Sequence, residues 1–512
     1  MTSPSLVTEN TLPGVTALVN TAQVARPIKR QPTSTAFIVA YTPWGPVNIP
    51  RVVTSWNDYA RQFGGFDANS FGDDFSHVFF NLFPGKQEWV CRVVGGAAAK
   101  ATATIKDRSA SPGVNTLKID AKYPSSRVDI KYTIEDGTQT DTFKLTLRSA
   151  FLGNRKEAFD NLKMDAASIN LVNQKSKLVD LTNLNSVTAA PGNRPKATAE
   201  TALAGGDDDF AGISAATYIG TDDGTTRTGL QTFKDEYLGT GQVAIPGITS
   251  DTAHVALLAH GEAFHRITFP DPPLGSDKQD LLDIRENYGT WYGAIYWPWV
   301  EMLDFEGSGL KKFYPPSCFA AGACAKVDRE IGTHKAPANI QIPSALGVEK
   351  ASNGQSQTDD NTRELLNGKD INVITPLPEQ GVKIYGARVM TGDRRVQMVH
   401  EIRMLNLFYY SAKIGYQWAP FQVVDPQGRL FRDLVGTGVS FLKPYWEAGA
   451  LYGGLQDEAF IVISDASNNP AEELQAQRVH VQWGVHLSPT AEIVIINIDN
   501  VPLFQELSVL QQ

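Results

Sequence analysis

Few residues in this chain of 512 have the types and spacing that chemistry needs. His254, His260 and His265 share one stretch of helical pattern, but intervals of six and five residues put them on different faces. A metal-binding pair on a helix wants an i, i+4 interval. Cys318 and Cys324 enclose five residues, a spacing that fits no common zinc pattern, and the next histidine is His334. Together with Cys91 they are too few for a disulfide framework, so buried thiols are expected. Ser308-Gly-Leu-Lys311 matches S-x-x-K, yet it sits in a turn and the companion S-D-N and K-T-G motifs are absent. Asp207-Asp208-Asp209 could open a calcium loop, but no correctly spaced glutamate follows, and a solvated acidic loop is expected. Gly436-Thr-Gly438 follows a helical pattern rather than opening one, and no phosphate-binding G-x-x-x-x-G-K-[ST] occurs. Glu472-Glu473 are adjacent and diverge, where a catalytic dyad must converge. No catalytic, cofactor-binding or metal-binding residues are expected, and no enzyme.

The elements around these residues form an ordinary folded chain. Apolar residues are 42% and charged residues 20%, enough to bury real cores. One core stops growing near ~250–300 residues, so two to four domains are expected. The net charge of −9 argues against coating nucleic acid, which wants a basic surface. No apolar run approaches the ~18 residues of a membrane span. The opening MTSPSLVTENTLPG has neither the basic nor the apolar region of a signal peptide, so folding in the cytoplasm is expected.

Residues 1–34 carry Pro4, Pro13, Pro27 and Pro32, too many for a helix. Within them Val15, Ala17 and Val19 alternate with Thr16, Leu18 and Asn20, a strand pattern without a nearby partner. Then come a strand at 36–41, a helix at 56–63 capped by Ser55 and ended by Gly64-Gly65, a helix at 75–82 and a strand at 88–94. From 97 to 245 the composition shifts to Thr, Asp, Asn and Lys. There Val128, Ile130, Tyr132 and Ile134 alternate with polar residues, as do Phe143, Leu145 and Leu147. Asp136-Gly137 lies between the two runs, which predicts a hairpin. Helical pattern returns at 252–265 with Asp251 as N-cap, followed by an aromatic strand at 291–300 and a loop-rich stretch at 314–379 with helical pieces at 322–329 and 360–366. Asp393 is read as the cap of a helix carrying Val396, Val399, Ile402, Leu405 and Phe408. Strands are expected at 418–424, 459–464, 479–487 and 492–498, with a helix over 429–451. The last residues, DNVPLFQELSVLQQ, read as a second arm. No internal repeat marks a solenoid.

In order along the chain, several segments resemble the tail-sheath family of contractile phages. Pro13-Gly14-Val15 followed by Arg26-Pro27-Ile28 resembles the family's "PGVY…RPI" arm, and TAFIVAYTPWGP (35–46) its "AAFVGYTPRGP" turn. VTSWNDYARQFGG (53–65) resembles "VTSWADFERLFGG", and WVCRVVG (89–95) resembles "AYVVRV". Past the polar stretch, AIYWPWV (294–300) resembles "ALYYPWI", and PPSCFAAGACAKVD (315–328) with GTHKAPAN (332–339) resembles the "PPSG.VAG.YARTD..RGVWKAPAN" block. YGAR (385–388) resembles "WGAR", and FLKPYWEAGALYG (441–453) resembles "FLRGLWRAGALVG". Cys318 and Phe319 stand where the family has small residues, and Pro444 interrupts the late helix.

The resemblance implies a sheath subunit that polymerises as stacked hexameric rings around an inner tail tube and contracts to drive the tube through a host envelope. It implies a mixed α/β multidomain fold, with α/β core domains discontinuous in sequence, an inserted β-rich domain and extended strand-forming arms. The expected divisions are an N-terminal arm (1–34), a middle domain (35–96 plus 246–379), an inserted outer domain (97–245), a C-terminal core domain (380–498) and a C-terminal arm (499–512). The implied partners are further copies of the chain, the inner tube protein, and baseplate and tail terminator proteins, with no direct nucleic-acid contact and no membrane insertion. The implied location is the tail sheath of a virion assembled in the bacterial cytoplasm. Arm strands are expected at Val15, Ala17 and Val19 and at Val501, Leu503, Leu507 and Val509, paired on an acceptor sheet at Val479, Val481, Ile493 and Ile495. Arg429, Arg432 and Lys443 are expected to face the tube. The sheath of a bacterial injection or secretion system is an alternative. So is a receptor- or carbohydrate-binding virion protein that reads its ligand with 97–245, although that stretch holds no tryptophan.

Overall fold

A computed structural model describes residues 27–109, 113–349, 359–393 and 395–495. The arm residues Val15, Ala17, Val19, Val501, Leu503, Leu507 and Val509 lie outside the described residues. The chain divides into two compact units, one over 31–410 with 490–495 and the other over 27–30 with 411–489.

The larger unit is built on a five-stranded sheet in the order Ile267–Thr268, Gln242–Ala244, Ala36–Tyr41, Glu88–Val93, Arg51–Val53. All neighbours run parallel except the last pair. Ala36–Tyr41 is buried along its whole length, as a strand covered on both faces should be. On one side Ile38, Val90 and Ala244 pack with Phe75, Phe79, Phe83 and the helix Pro316–Glu330. On the other, Phe37, Cys91 and Val243 pack with Tyr218, Leu230 and Phe233. Residues 218–233 therefore share the core of this sheet. Cys91, Cys318 and Cys324 are buried as expected.

The polar stretch forms two antiparallel sheets. Thr102–Lys106, Asn115–Ala121 and Val179–Asn183 make one. Thr198–Ala202, Lys131–Asp136, Phe143–Ser149 and Arg155–Leu162 make the other. The hairpin pairs Ile134 with Leu145, so the alternating apolar sets meet on one face. A second mixed sheet of the unit orders Ile295–Trp297, Ile371–Leu377, Gly381–Ile384 and Ile340–Gln341.

Several expected boundaries move, each for a local reason. Ser55 caps Trp56–Phe63 as read, accepting from the Asp58 N–H. The next helix begins earlier, at Gly72, and continues as a π-helical turn over Val78–Leu82. Ser250, not Asp251, precedes the helix Asp251–Phe264. The aromatic run breaks into Ile295–Trp297 and Val300–Leu303, because Pro298 has no ladder donor. The loop-rich stretch holds a helix from Pro316 to Glu330, twice the piece read there, with proline at its first turn. Asp393 caps nothing, since its carboxylate accepts from the Arg395 N–H and guanidinium. The helix starts at Val399, and Glu401 reaches back to accept from the Gln397 and Met398 N–H groups at 2.8 and 2.9 Å.

In the smaller unit the helix Arg429–Glu447 packs Leu430, Leu434, Phe441 and Leu442 inward beside the hairpin Phe460–Ile463 and Gln482–Val485. Residues 418–424 form turns instead of a strand: Ala419 donates to the Tyr416 carbonyl and Gln422 to the Ala419 carbonyl, while Pro420 offers no donor. The expected strand at 479–487 shortens to Gln482–Val485, which leaves Val479 and Val481 ahead of it. Residues 492–495 form no strand, for they have no ladder partner within the described chain.

Glu88 gives the larger unit a pH dependence. It is fully buried; one carboxyl oxygen accepts from Ser76 Oγ at 3.0 Å and the other has no partner. Burial pushes its carboxyl well above the usual range. The folded state thus holds a proton that the unfolded state releases near pH ~4.3. This contribution to stability is fully present below that pH and is lost as pH rises through the folded value. Glu88→Gln is expected to raise the thermal unfolding midpoint more at pH 8 than at pH 5. An equal effect at both pH values would refute the assignment.

Candidate assembly surfaces

The polar residues singled out for chemistry serve architecture. His254 lies within hydrogen-bond distance of Tyr288 Oη (3.1 Å) and the Ile248 carbonyl (3.1 Å). His260 is pushed down to about 3 by burial and by the Arg266 guanidinium beside it. Arg266 donates to the Gly239, Phe233 and Asp235 carbonyls, closing the loop before Gln242–Ala244. Among the described residues no group of three His, Cys, Asp or Glu could hold a metal ion.

Asp208 departs from the solvated loop expected for it. It is 2% exposed, and accepts from Tyr41 Oη (2.9 Å), the Ser126 N–H (3.1 Å) and Ser126 Oγ (2.8 Å). Burial opposes its charge, but these donors and Arg92 outweigh burial and hold its carboxyl below the usual range. Arg92, also buried, donates to the Thr42, Gly45 and Pro124 carbonyls. Three donors and a guanidinium have replaced water, so the acid pins the two-sheet insertion to the parallel sheet.

A second buried knot holds the chain at Thr33, inside the end of the expected N-terminal arm. Arg403 donates to Asp328 Oδ2 at 2.5 Å, and Thr33 Oγ1 donates to the same oxygen at 2.7 Å. Arg403 also reaches the Thr33 carbonyl, to which Gln242 Nε2 donates at 2.8 Å. Sequence reading missed both knots. The available signal for the second was Arg403 itself, which sits four residues from Val399 and from Leu407 on a buried helical stripe.

Five of the seven described residues expected at assembly surfaces, Arg429, Arg432, Lys443, Val479 and Val481, lie in the smaller unit. Arg429, Arg432 and Lys443 are exposed and fall within about 60° of arc on one helix. Asp433 and Glu447 are exposed on the same helix, and Lys443 pairs with Glu447 at 3.8 Å, so the net surplus is a single positive charge. Val479 and Val481 line a groove of about 880 Å³ with Leu430, Leu434, Leu474 and Phe421. Phe421 is fully exposed at φ 64°, a conformation that is strained for an aromatic residue. In the larger unit Ile493 and Ile495 are 76% and 81% exposed, beside Glu492, which accepts from Arg388 Nε and Asn367 Nδ2, each at 3.0 Å. The four acceptor positions thus lie on two units, and no common sheet among the described residues joins them.

Known proteins are similar to this chain in sequence and in fold. The family model for the phage tail sheath protein central domain matches residues 245–390. The chain is 23% identical over 495 residues to the tail sheath protein of Burkholderia phage BcepMu, an alignment that covers 91% of this chain and 92% of the relative. These matches make the chain similar to contractile tail sheath proteins along nearly its whole length. A sheath tail protein of Listeria innocua shares the fold with a TM-score of 0.59 at 12% identity, over 86% of this chain and 91% of that one. The sheath of an extracellular contractile injection system, PVC, in its contracted state shares it with a TM-score of 0.56 at 15% identity, over 97% and 99%. The relatives it matches are sheath proteins of phages and of a phage-like contractile injection system. The sheath block at 315–328 is a helix whose small residues are explained by close packing: a Cβ on Gly322 would lie 2.4 Å from the Phe83 ring. Cys318 and Phe319, the departures from the family pattern, are fully buried in the same core.

Proposed function

We propose that the chain polymerises as stacked hexameric rings around an inner tail tube and contracts to drive that tube through a host envelope. The observation that carries this reading is the near full-length alignment with a phage tail sheath protein. The motor is conformational and the chain is not an enzyme: the extended array is metastable, and contraction releases energy stored in bistable interfaces. Partners are other copies, the tube protein, and baseplate and terminator proteins, met during assembly in the bacterial cytoplasm. The domain scheme proposed above assigns the core domains to the mesh and the inserted body to the outer surface. Electron microscopy of the purified protein tests the reading. Hollow ribbed tubes are expected; particles that stay monomeric at every concentration and with added tube protein would sink it.

Arg429, Arg432 and Lys443 are proposed to face the tube. Each exposed pair contributes only ~0–1 kcal/mol, so docking depends on repetition around the ring. Reversing all three charges is expected to weaken co-sedimentation with tube at least tenfold at low salt, while rings still form. Unchanged co-sedimentation would remove these residues from the tube interface.

A further inference from the structure

Where the two-sheet insertion meets the parallel-sheet body, a cavity of about 380 Å³ is lined by Trp44, Pro46, Arg51, Asp58, Arg61 and Gln62 from the body and Tyr123, Arg155 and Lys177 from the insertion. The two sides are in contact. Arg155 donates to the Arg61 carbonyl at 3.5 Å, and the Trp44 and Tyr123 rings meet edge-on at 5.1 Å. Four cationic side chains and one carboxylate line this space, in a chain whose net charge is −9.

The one carboxylate is already committed. Asp58 accepts from the Thr54 N–H at 3.3 Å and Gln62 Nε2 at 3.1 Å, and pairs with Arg61 at 3.7 Å. Glu157, two residues along from Arg155, accepts from Ser176 Oγ at 2.7 Å and the Lys177 N–H at 3.1 Å. Among the described residues Arg51, Arg155 and Lys177 make no ion pair. Cations converging on a concave space focus a positive potential there, and a guanidinium fork fits a tetrahedral oxyanion.

We propose that this cavity binds a phosphate- or sulfate-class oxyanion, free or carried on a sugar, held between Arg51 of the body and Arg155 and Lys177 of the insertion. The bound anion bridges the two bodies and fixes the angle between them. Trp44 is 2% exposed, so the ring forms a wall and not a stacking platform, and the charged group rather than the sugar supplies recognition.

The test is calorimetric titration of the full chain with sodium phosphate and pyrophosphate against sodium chloride at equal ionic strength. Glucose 6-phosphate against glucose separates a carried from a free group. Saturable heat with phosphate, and none with chloride or glucose, is expected. The double variant Arg155→Gln/Lys177→Gln is expected to lose at least tenfold in affinity, as is Arg51→Gln alone on the opposite wall. Lys156→Gln, the same charge change one residue away, should bind normally. Indistinguishable phosphate and chloride titrations would overturn the proposal, as would full affinity in both cavity variants. So would an assembly defect in the double variant without any phosphate binding by the parent, which would assign the cavity to carboxylates of a neighbouring copy.

Discussion

Deleting residues 1–20, or 499–512, is expected to leave a folded monomer that no longer forms rings or tubes. The N-terminal arm carries Arg26, Lys29 and Arg30 against Glu9, and the C-terminal arm carries Asp499 and Glu506 without a basic residue. In an extended chain Val501, Leu503, Leu507 and Val509 share one face, and Glu506 and Ser508 the other. A segment with an apolar face and opposite charge to its partner suits strand addition across a subunit boundary, with backbone ladder bonds supplying most of the affinity. Screening over ~8–10 Å makes the charge a bias and not the driving force. Among the described residues the buried apolar side chains of both units fall within 28–462, and both deletions lie outside the described residues. The measurement is light scattering with microscopy, alongside a thermal scan. Normal tubes from either truncated chain would mean that the arms do not join the subunits.

Replacing Arg403 by alanine is expected to destabilise the larger unit by about 3–5 kcal/mol, because it strands Asp328 as an unpaired buried charge. Arg403 is 2% exposed, and among the described residues Asp328 has no second cation within ion-pair distance; its other donor is Thr33 Oγ1. Changing both, Arg403→Met with Asp328→Leu, should cost less than the sum of the single changes, since the charge is removed together with its partner. Denaturant midpoints of the four proteins close the cycle. Hydrogen exchange at 31–35 should rise in the single variants, where Thr33 loses its anchor. Additive midpoints would show that the pair is not coupled.

How much of this was legible depended on whether a residue's role is local. Ala36–Tyr41 and Trp56–Phe63 follow from burial pattern and cap with the bounds read for them, and the expected hairpin forms, pairing Ile134 with Leu145. The family blocks likewise keep their order, because short motifs survive where overall identity is low. Expectations failed where a distant partner decides. Asp208 looks like one of three solvated acids until Tyr41 and Ser126 arrive from far along the chain. Residues 418–424 and 492–495 have apolar strand composition but no strand beside them, and composition cannot supply a ladder. The exposed aromatic at Phe421 carried no sequence signal, since its backbone geometry is set by the turn around Pro420.

The two ends of the insertion leave the body side by side. Ala99 and Asp207 pair as antiparallel neighbours, Gly95 donates to the Asp208 carbonyl at 3.0 Å, and Thr102 exchanges hydrogen bonds with Ala204. Everything between 102 and 204 is therefore a closed excursion from a short two-stranded stem. Closing a longer or shorter excursion on that stem changes the entropy only logarithmically with length, about 0.6 kcal/mol per doubling. The parallel sheet holds the excursion at few points, among them the Pro124 carbonyl, Ser126 and Tyr123. Such a stem is a splice point: lineages can lengthen, trim or exchange the decoration while the framework beneath keeps its register. The matched family domain, residues 245–390, begins past the return of the stem.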